Sequence, residues 1–185
     1  MKPTDRRLPY LPVLALTLLL AATPTIALEL LQNPGFEDAG KHWGKFGSVD
    51  FHDWAKQSGT YGAVLYGWTL DGEGGFFQSV PAEPGKTYTF TVRVKKESLF
   101  QADTVYLRFE FYSGDDTTKA GHDQAHVNIV NDITEDWQPF TITGTAPLGT
   151  AFIRPIVGYE GAHVGDLGQG KQACMLDNAT LTVSP

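Results

Sequence analysis

The sequence predicts an all-β sandwich, and two observations carry that expectation. Short runs alternate apolar and polar residues with a period of two, most cleanly at Thr87 to Lys95 and Thr104 to Tyr112. The 185 residues include 20 Gly and 11 Pro, which punctuate those runs as turns, and no long segment repeats at the 3.6-residue spacing of an amphipathic helix.

Residues 1–27 read as a leader and not as part of the fold. Lys2, Arg6 and Arg7 form a basic start, Leu11 to Ala22 is an apolar stretch, and Thr25-Ile26-Ala27 offers a small-x-small cleavage signal. The apolar stretch is too short to span a bilayer. The expectation is a secreted or periplasmic protein, cleaved near Ala27, with residues 28–185 forming one sandwich domain.

The strands follow in order. Tyr61 to Trp68 and Phe76 to Val80 are the first two expected. In Thr87 to Lys95, Tyr88, Phe90, Val92 and Val94 share one face and the threonines, Arg93 and Lys95 the other. In Thr104 to Tyr112, Val105, Leu107, Phe109 and Phe111 face inward, and Tyr106, Arg108, Glu110 and Tyr112 face outward. Further strands are expected at 125–130, 137–144, 151–159 and 173–183, with turns at Pro84-Gly85 and Pro147-Leu148-Gly149. The connections 113–124 and 160–172 are long and polar, the kind of segment that carries function on a rigid scaffold.

Charge and cysteine usage narrow the function. The whole chain has net charge −7 and pI ≈ 5.1. The leader holds three basic residues and one acidic one, so 28–185 keep 11 basic and 20 acidic residues, a net of −9. That balance excludes nucleic acid or an anionic membrane surface as the main partner. The single cysteine, Cys174, rules out an intrachain disulfide and reads as a small buried side chain.

Five segments in a fixed order carry a resemblance. They are Asn33-Pro34-Gly35-Phe36-Glu37, Ser58-Gly59-Thr60-Tyr61, Pro84-Gly85-Lys86-Thr87-Tyr88, Asp136-Trp137-Gln138-Pro139-Phe140 and Leu176-Asp177-Asn178-Ala179-Thr180-Leu181. Together they resemble the carbohydrate-binding modules of the family four and nine group over nearly all of 28–185. One departure is the close: the family often has Asp-Asp-Val where this chain has Asp177-Asn178-Ala179.

The resemblance implies a jelly-roll β-sandwich of two antiparallel sheets, acting without catalysis as a monomer that binds a polysaccharide or glycoconjugate. It also implies a structural Ca2+ ion between the first and last strands, with Glu37 and Asp177 supplying carboxylates and backbone carbonyls near Glu29 and Ser58 supplying the rest. Calcium takes six to eight oxygens, so two carboxylates would balance its charge.

A sugar needs flat apolar surfaces and planar polar groups. The expected ligand face combines Tyr66, Trp68, Tyr106, Arg108, Glu110, Tyr112 and Arg154, with Trp54 and Tyr159 at its rim. The resemblance implies that Phe36 and Trp137 take packing positions in the core, and Trp43 is left to either core or rim.

Two other classes stand beside this reading. One is an extracellular structural or adhesion module with no sugar ligand. The other is a lyase or glycosidase. A glycosidase needs two carboxylates about 5–10 Å apart. Asp115-Asp116 and Glu135-Asp136 fall in turns, and Glu110 has only Glu160 or Asp166 to approach it from a loop. A lyase would draw on His122, His126 or His163 with Arg108 and Tyr112.

Overall fold

A computed structural model describes residues 28–66, 72–114, 119–120, 125–162 and 170–184. Trp68, His122, His163, Asp115, Asp116, Asp166 and the leader 1–27 lie outside the described residues.

Among the described residues, period-two patterning becomes eleven strands: β1 (Gly44–Gly47), β2 (Val49–His52), β3 (Gly62–Tyr66), β4 (Gly74–Phe77), β5 (Val80–Pro81), β6 (Thr87–Lys96), β7 (Ala102–Tyr112), β8 (Ala125–Asn128), β9 (Gln138–Thr145), β10 (Phe152–Ala162) and β11 (Ala173–Val183). They form two antiparallel sheets. The first runs β1-β4-β10-β7-β8, with β5 also paired to β10, and the second runs β2-β3-β11-β6-β9. This is the jelly-roll sandwich the sequence predicted. Among the described residues no helix is long and apolar enough to cross a membrane.

The inward residues are the alternating apolar ones. Phe90, Val92 and Val94 of β6 meet Leu107, Phe109 and Phe111 of β7, with Ile153, Val157 and Tyr159 of β10 and Cys174, Leu176 and Leu181 of β11. Each fully buried ring or branched chain contributes about 2 kcal/mol by leaving water. Cys174 is wholly enclosed, and that burial pushes its thiol far above the usual range, so it packs and does not react.

The Asn33-Pro34-Gly35-Phe36-Glu37 segment acts as a folded plug. Asn33 adopts a left-handed backbone (φ 52°), and its side chain donates to the carbonyl of Ala39 (2.9 Å) and accepts from the amide of Asp38 (3.1 Å). The turn drops Phe36 into the core against Trp43, ring centroids 4.9 Å apart. Trp43 is thereby a core residue, tied by its indole N–H to the carbonyl of Asn33 (2.9 Å).

Two sequence expectations need correction here. Trp137 is not in the central core. It packs with Ala55, Val64, Ala173, Met175 and Tyr66 in a small apolar cluster separate from the main core, with Lys95 Nζ 5.2 Å above its ring. Tyr159 is not a rim residue, because odd-numbered positions of β10 point between the sheets and it is fully buried there. Strands β1 and β2 were not expected at all. Each is only four residues long, and glycines interrupt the apolar alternation of β1.

On β6 and β9, threonines face each other in pairs: Thr87 with Thr145 (2.9 Å), Thr89 with Thr143 (3.3 Å) and Thr91 with Thr141 (2.8 Å). Such cross-strand pairs add a few tenths of a kcal/mol each, to about 1.

Candidate functional site

The outer face of the first sheet is built around registered neighbours on β7 and β10. Tyr106 lies opposite Gly158, Arg108 opposite Ile156, and Glu110 opposite Arg154. On the far side of β10, Gly75 pairs with Gly158 and Phe77 with Ile156.

Glycines let rings lie down on this face. A Cβ on Gly158 would sit 2.7 Å from Tyr106 Oη, one on Gly75 would sit 2.9 Å from the ring of Phe46, and one on Gly44 would collide with the ring of Phe77. Tyr106 is therefore on the predicted face yet only 1% exposed. Arg108 covers its ring from 4.9 Å, and His126 meets it edge-on at 5.4 Å. Tyr112, 7% exposed, lies under Arg154 at 4.1 Å, and the same guanidinium reaches Phe77 at 5.2 Å. The expectation of bare tyrosine platforms is corrected: both phenols are floor, and guanidinium groups form the upper layer.

Glu110 organises the polar layer. It accepts from Tyr112 Oη (2.6 Å) and Lys119 Nζ (2.9 Å), and its carboxylate lies 3.3 Å from Arg108. Burial works to raise its carboxyl, but those hydrogen bonds and cations outweigh burial and hold it below the usual carboxylate range. Tyr112 moves the other way, pushed up by burial and by its bond to Glu110. Tyr106 is pushed up by burial against the opposing pull of Arg108.

The structure thus brings Tyr106, Arg108, Glu110, Tyr112 and Arg154 together. It does not bring Tyr66 to them. Tyr66 closes β3, which belongs to the second sheet, so it faces away from the β7 surface. Trp54 is displaced likewise. It sits on a 3-10 turn, Asp53–Ala55, beside β2 and β3. Trp68 lies outside the described residues. Phe46, Phe77 and Lys119 were missed, and His126 was considered only for a lyase. The double ring in Gly74-Gly75-Phe76-Phe77 was the available signal, since adjacent strand residues must take opposite faces.

The two carboxylates expected at a metal do converge. Asp177 precedes a β-bulge in β11, where the register against β6 shifts between Asp177 and Thr180 and Asn178 turns left-handed (φ 49°). Asp177 is fully buried and accepts from the backbone N–H groups of Gln57 (2.7 Å), Ser58 (2.9 Å) and Asn178 (2.6 Å). Glu37 accepts from the N–H of Thr60 in the same loop. Between them Gly59 has φ +64°, and any Cβ there would strike the Glu37 carboxylate.

Burial raises the Asp177 carboxyl, backbone hydrogen bonds oppose that, and the charge of Glu37 raises it further. Two acidic groups that repel each other around one loop are a donor set that suits a cation. Among the described residues no group of three or more His, Cys, Asp or Glu side chains is placed to hold a metal, so most ligands would be backbone or amide oxygens. Glu29 Oε1 is engaged already, accepting from the N–H groups of Leu31 (2.8 Å) and Leu181 (2.9 Å).

No protein-family model matches the sequence, and no curated protein matches it either. Solved structures do. The enzymatically active domain of tailspike protein 4 from bacteriophage CBA120 superposes with a TM-score of 0.65 at 13% identity, over 84% of this chain; the chain spans 21% of that one. The module TmCBM61, solved in complex with β-1,4-galactotriose, gives 0.56 at 17% identity over 85% of this chain and 100% of its own. The CBM22-1 xylan-binding domain of Xyn10C from Paenibacillus barcinonensis gives 0.56 at 16% identity over 88% and 97%. At these identities the likeness is one of fold.

Proposed function

We propose that this chain is an extracellular, non-catalytic carbohydrate-binding module that holds a polysaccharide chain against the outer face of the first sheet. The observation that carries the reading is the arrangement there: the partly exposed rings of Phe46 and Phe77 laid over glycines, with Arg108, Arg154 and Glu110 held in place on the buried floor of Tyr106 and Tyr112. Rings of that kind accept the C–H face of a pyranose, and fixed guanidinium and carboxylate groups address its hydroxyls. The neighbours that share the sandwich over their whole length, one solved with β-1,4-galactotriose and one described as xylan-binding, support the same use.

Glu110 is set up as a hydrogen-bond acceptor and not as a general acid. A general acid at neutral pH needs a raised carboxyl, and this one is held down by Tyr112, Lys119 and Arg108. Export through the 1–27 leader and a structural calcium between Glu37 and Asp177 belong to the same proposal. The calcium would neutralise the two converging carboxylates and tie the loop at residues 57–60 to both ends of the fold.

Affinity gels containing soluble β-1,4-galactan, xylan or β-glucan test the reading. Retardation in at least one gel, clearly weakened in Phe77→Ala/Arg154→Ala, is the expected result. Equal retention of that variant and the wild type would remove this face. Calcium is checked separately by thermal melting with and without a chelator, where an unchanged Tm counts against the ion.

A further inference from the structure

The outer face of the second sheet carries an aromatic site of its own. Trp54 is 51% exposed, unusual for the largest side chain on a 3-10 turn of only three residues. It is also not loose. One side of its indole stacks on His52, centroids 5.2 Å apart and planes 19° from parallel. His52 Nε2 lies 2.5 Å from Tyr66 Oη, so the imidazole is itself pinned. The chain Tyr66–His52–Trp54 fixes the ring while leaving much of it to solvent. Holding a large ring in one orientation before a ligand arrives removes most of the entropy cost of ordering it on binding.

Two depressions adjoin this ring. One, of about 270 Å³, runs from Trp54 over Met175 to Lys95, Lys96 and Glu135. The other, of about 250 Å³, runs from Trp54 to Tyr66, Gln172 and Ala173. Both are also bounded by Glu97 and Lys171. Met175 floors the first and Ala173 the second, both members of the small apolar cluster beneath. Their rims mix ammonium, carboxylate and amide groups without a dominant sign, which suits a neutral ligand rich in hydroxyls better than an ion. An apolar floor, a fixed indole and a mixed polar rim are the requirements of a pyranose.

We infer that this corner is a second saccharide site, taking two consecutive pyranose residues, one in each depression, with the chain crossing Trp54. The inference rests on the reading that the fold holds glycans, and it makes the module bivalent, with sites on opposite sheets. A bivalent module holds a long chain, or two chains, by avidity that neither site has alone.

The experiment uses the full chain in the same polysaccharide gels, with folding of every variant checked by circular dichroism and melting. Phe77→Ala/Arg154→Ala removes the first face and is expected to leave residual retention. Adding Trp54→Ala should then weaken that retention about tenfold, the scale of a truncated aromatic anchor. Trp54→Phe should restore most of it, and His52→Ala, which only frees the ring, should give an intermediate loss.

Full retention of Phe77→Ala/Arg154→Ala that disappears on adding Trp54→Ala would support this site and overturn the first. No residual retention without the first face, or residual retention indifferent to Trp54→Ala, would overturn this site alone. No retention of the wild type in any gel would overturn both.

Discussion

The two outer faces of this sandwich use aromatic side chains in opposite ways. On the first sheet, Tyr106 and Tyr112 lie flat beneath arginines and are 1% and 7% exposed. On the second, Trp54 stands 51% exposed on a stacked imidazole. One set of rings is a floor that shapes a polar surface, and the other ring is itself the surface. The difference teaches that an outward position on a strand does not mean an available ring. What lies across the ladder decides: a glycine opposite Tyr106 gives the phenol somewhere to lie down.

Stability separates the two faces most sharply. Tyr106→Ala should cost about 3 kcal/mol in denaturant unfolding, because it empties a packed volume above Gly158. Trp54→Ala should change stability by less than about 0.5 kcal/mol, because it removes a ring half in water. Similar costs for the two would break the distinction between floor and surface.

Gly158→Val tests the floor from beneath and should destabilise by about 2 kcal/mol, since its Cβ meets both Tyr106 Oη (2.7 Å) and the carbonyl of Gly74 (2.8 Å). A melting curve matching the wild type would mean that Tyr106 is free to stand up.

Much of this was legible in the residues and some was not. The alternation in β7 and β10 placed Tyr106, Arg108, Glu110, Tyr112 and Arg154 on one face correctly, because period two is imposed by the backbone itself. The same rule could not place Tyr66. Alternation tells which side of its own strand a residue takes, not which sheet the strand joins, and β3 pairs with β2 and β11. Trp137 was misassigned for a related reason: it sits one residue before β9 and joins a small apolar cluster that no single segment encodes. The convergence of Glu37 and Asp177 rested on resemblance, and the left-handed Asn178 that permits the bulge was invisible beforehand.

Acid sharpens the contrast further, with opposite signs on the two faces. Glu110 has a lowered carboxyl, so its stabilising contribution is complete above the unfolded carboxylate range and is lost as pH falls through its folded value. Asp177 has a raised carboxyl, so its ionised form costs stability at neutral pH, and that cost is relieved as pH falls through its folded value and is gone below the unfolded range. Unfolding free energies measured from pH 7 to pH 3 should therefore fall less steeply in Glu110→Gln than in the wild type, and more steeply in Asp177→Asn. Parallel profiles for all three proteins would show that neither carboxylate is coupled to folding as described. Calcium in the buffer should reduce the neutral-pH cost at Asp177 and leave the Glu110 profile unmoved.

The place of β11 has a consequence for how the molecule is made. The last strand of the sequence lies in the middle of the second sheet, between β3 and β6, and its Leu181 also receives the amide of Leu30 (2.9 Å). Until residues 173–183 leave the ribosome, that sheet is two separate halves, β2-β3 and β6-β9, each with an open edge toward the gap. Closing the sheet must wait until this strand is made and then joins partners up to about 150 residues apart, as in the 152-residue separation of Glu29 and Leu181. Late closure of this kind makes for a slow final step and a nascent chain with unpaired strand edges, the state that chaperones would meet.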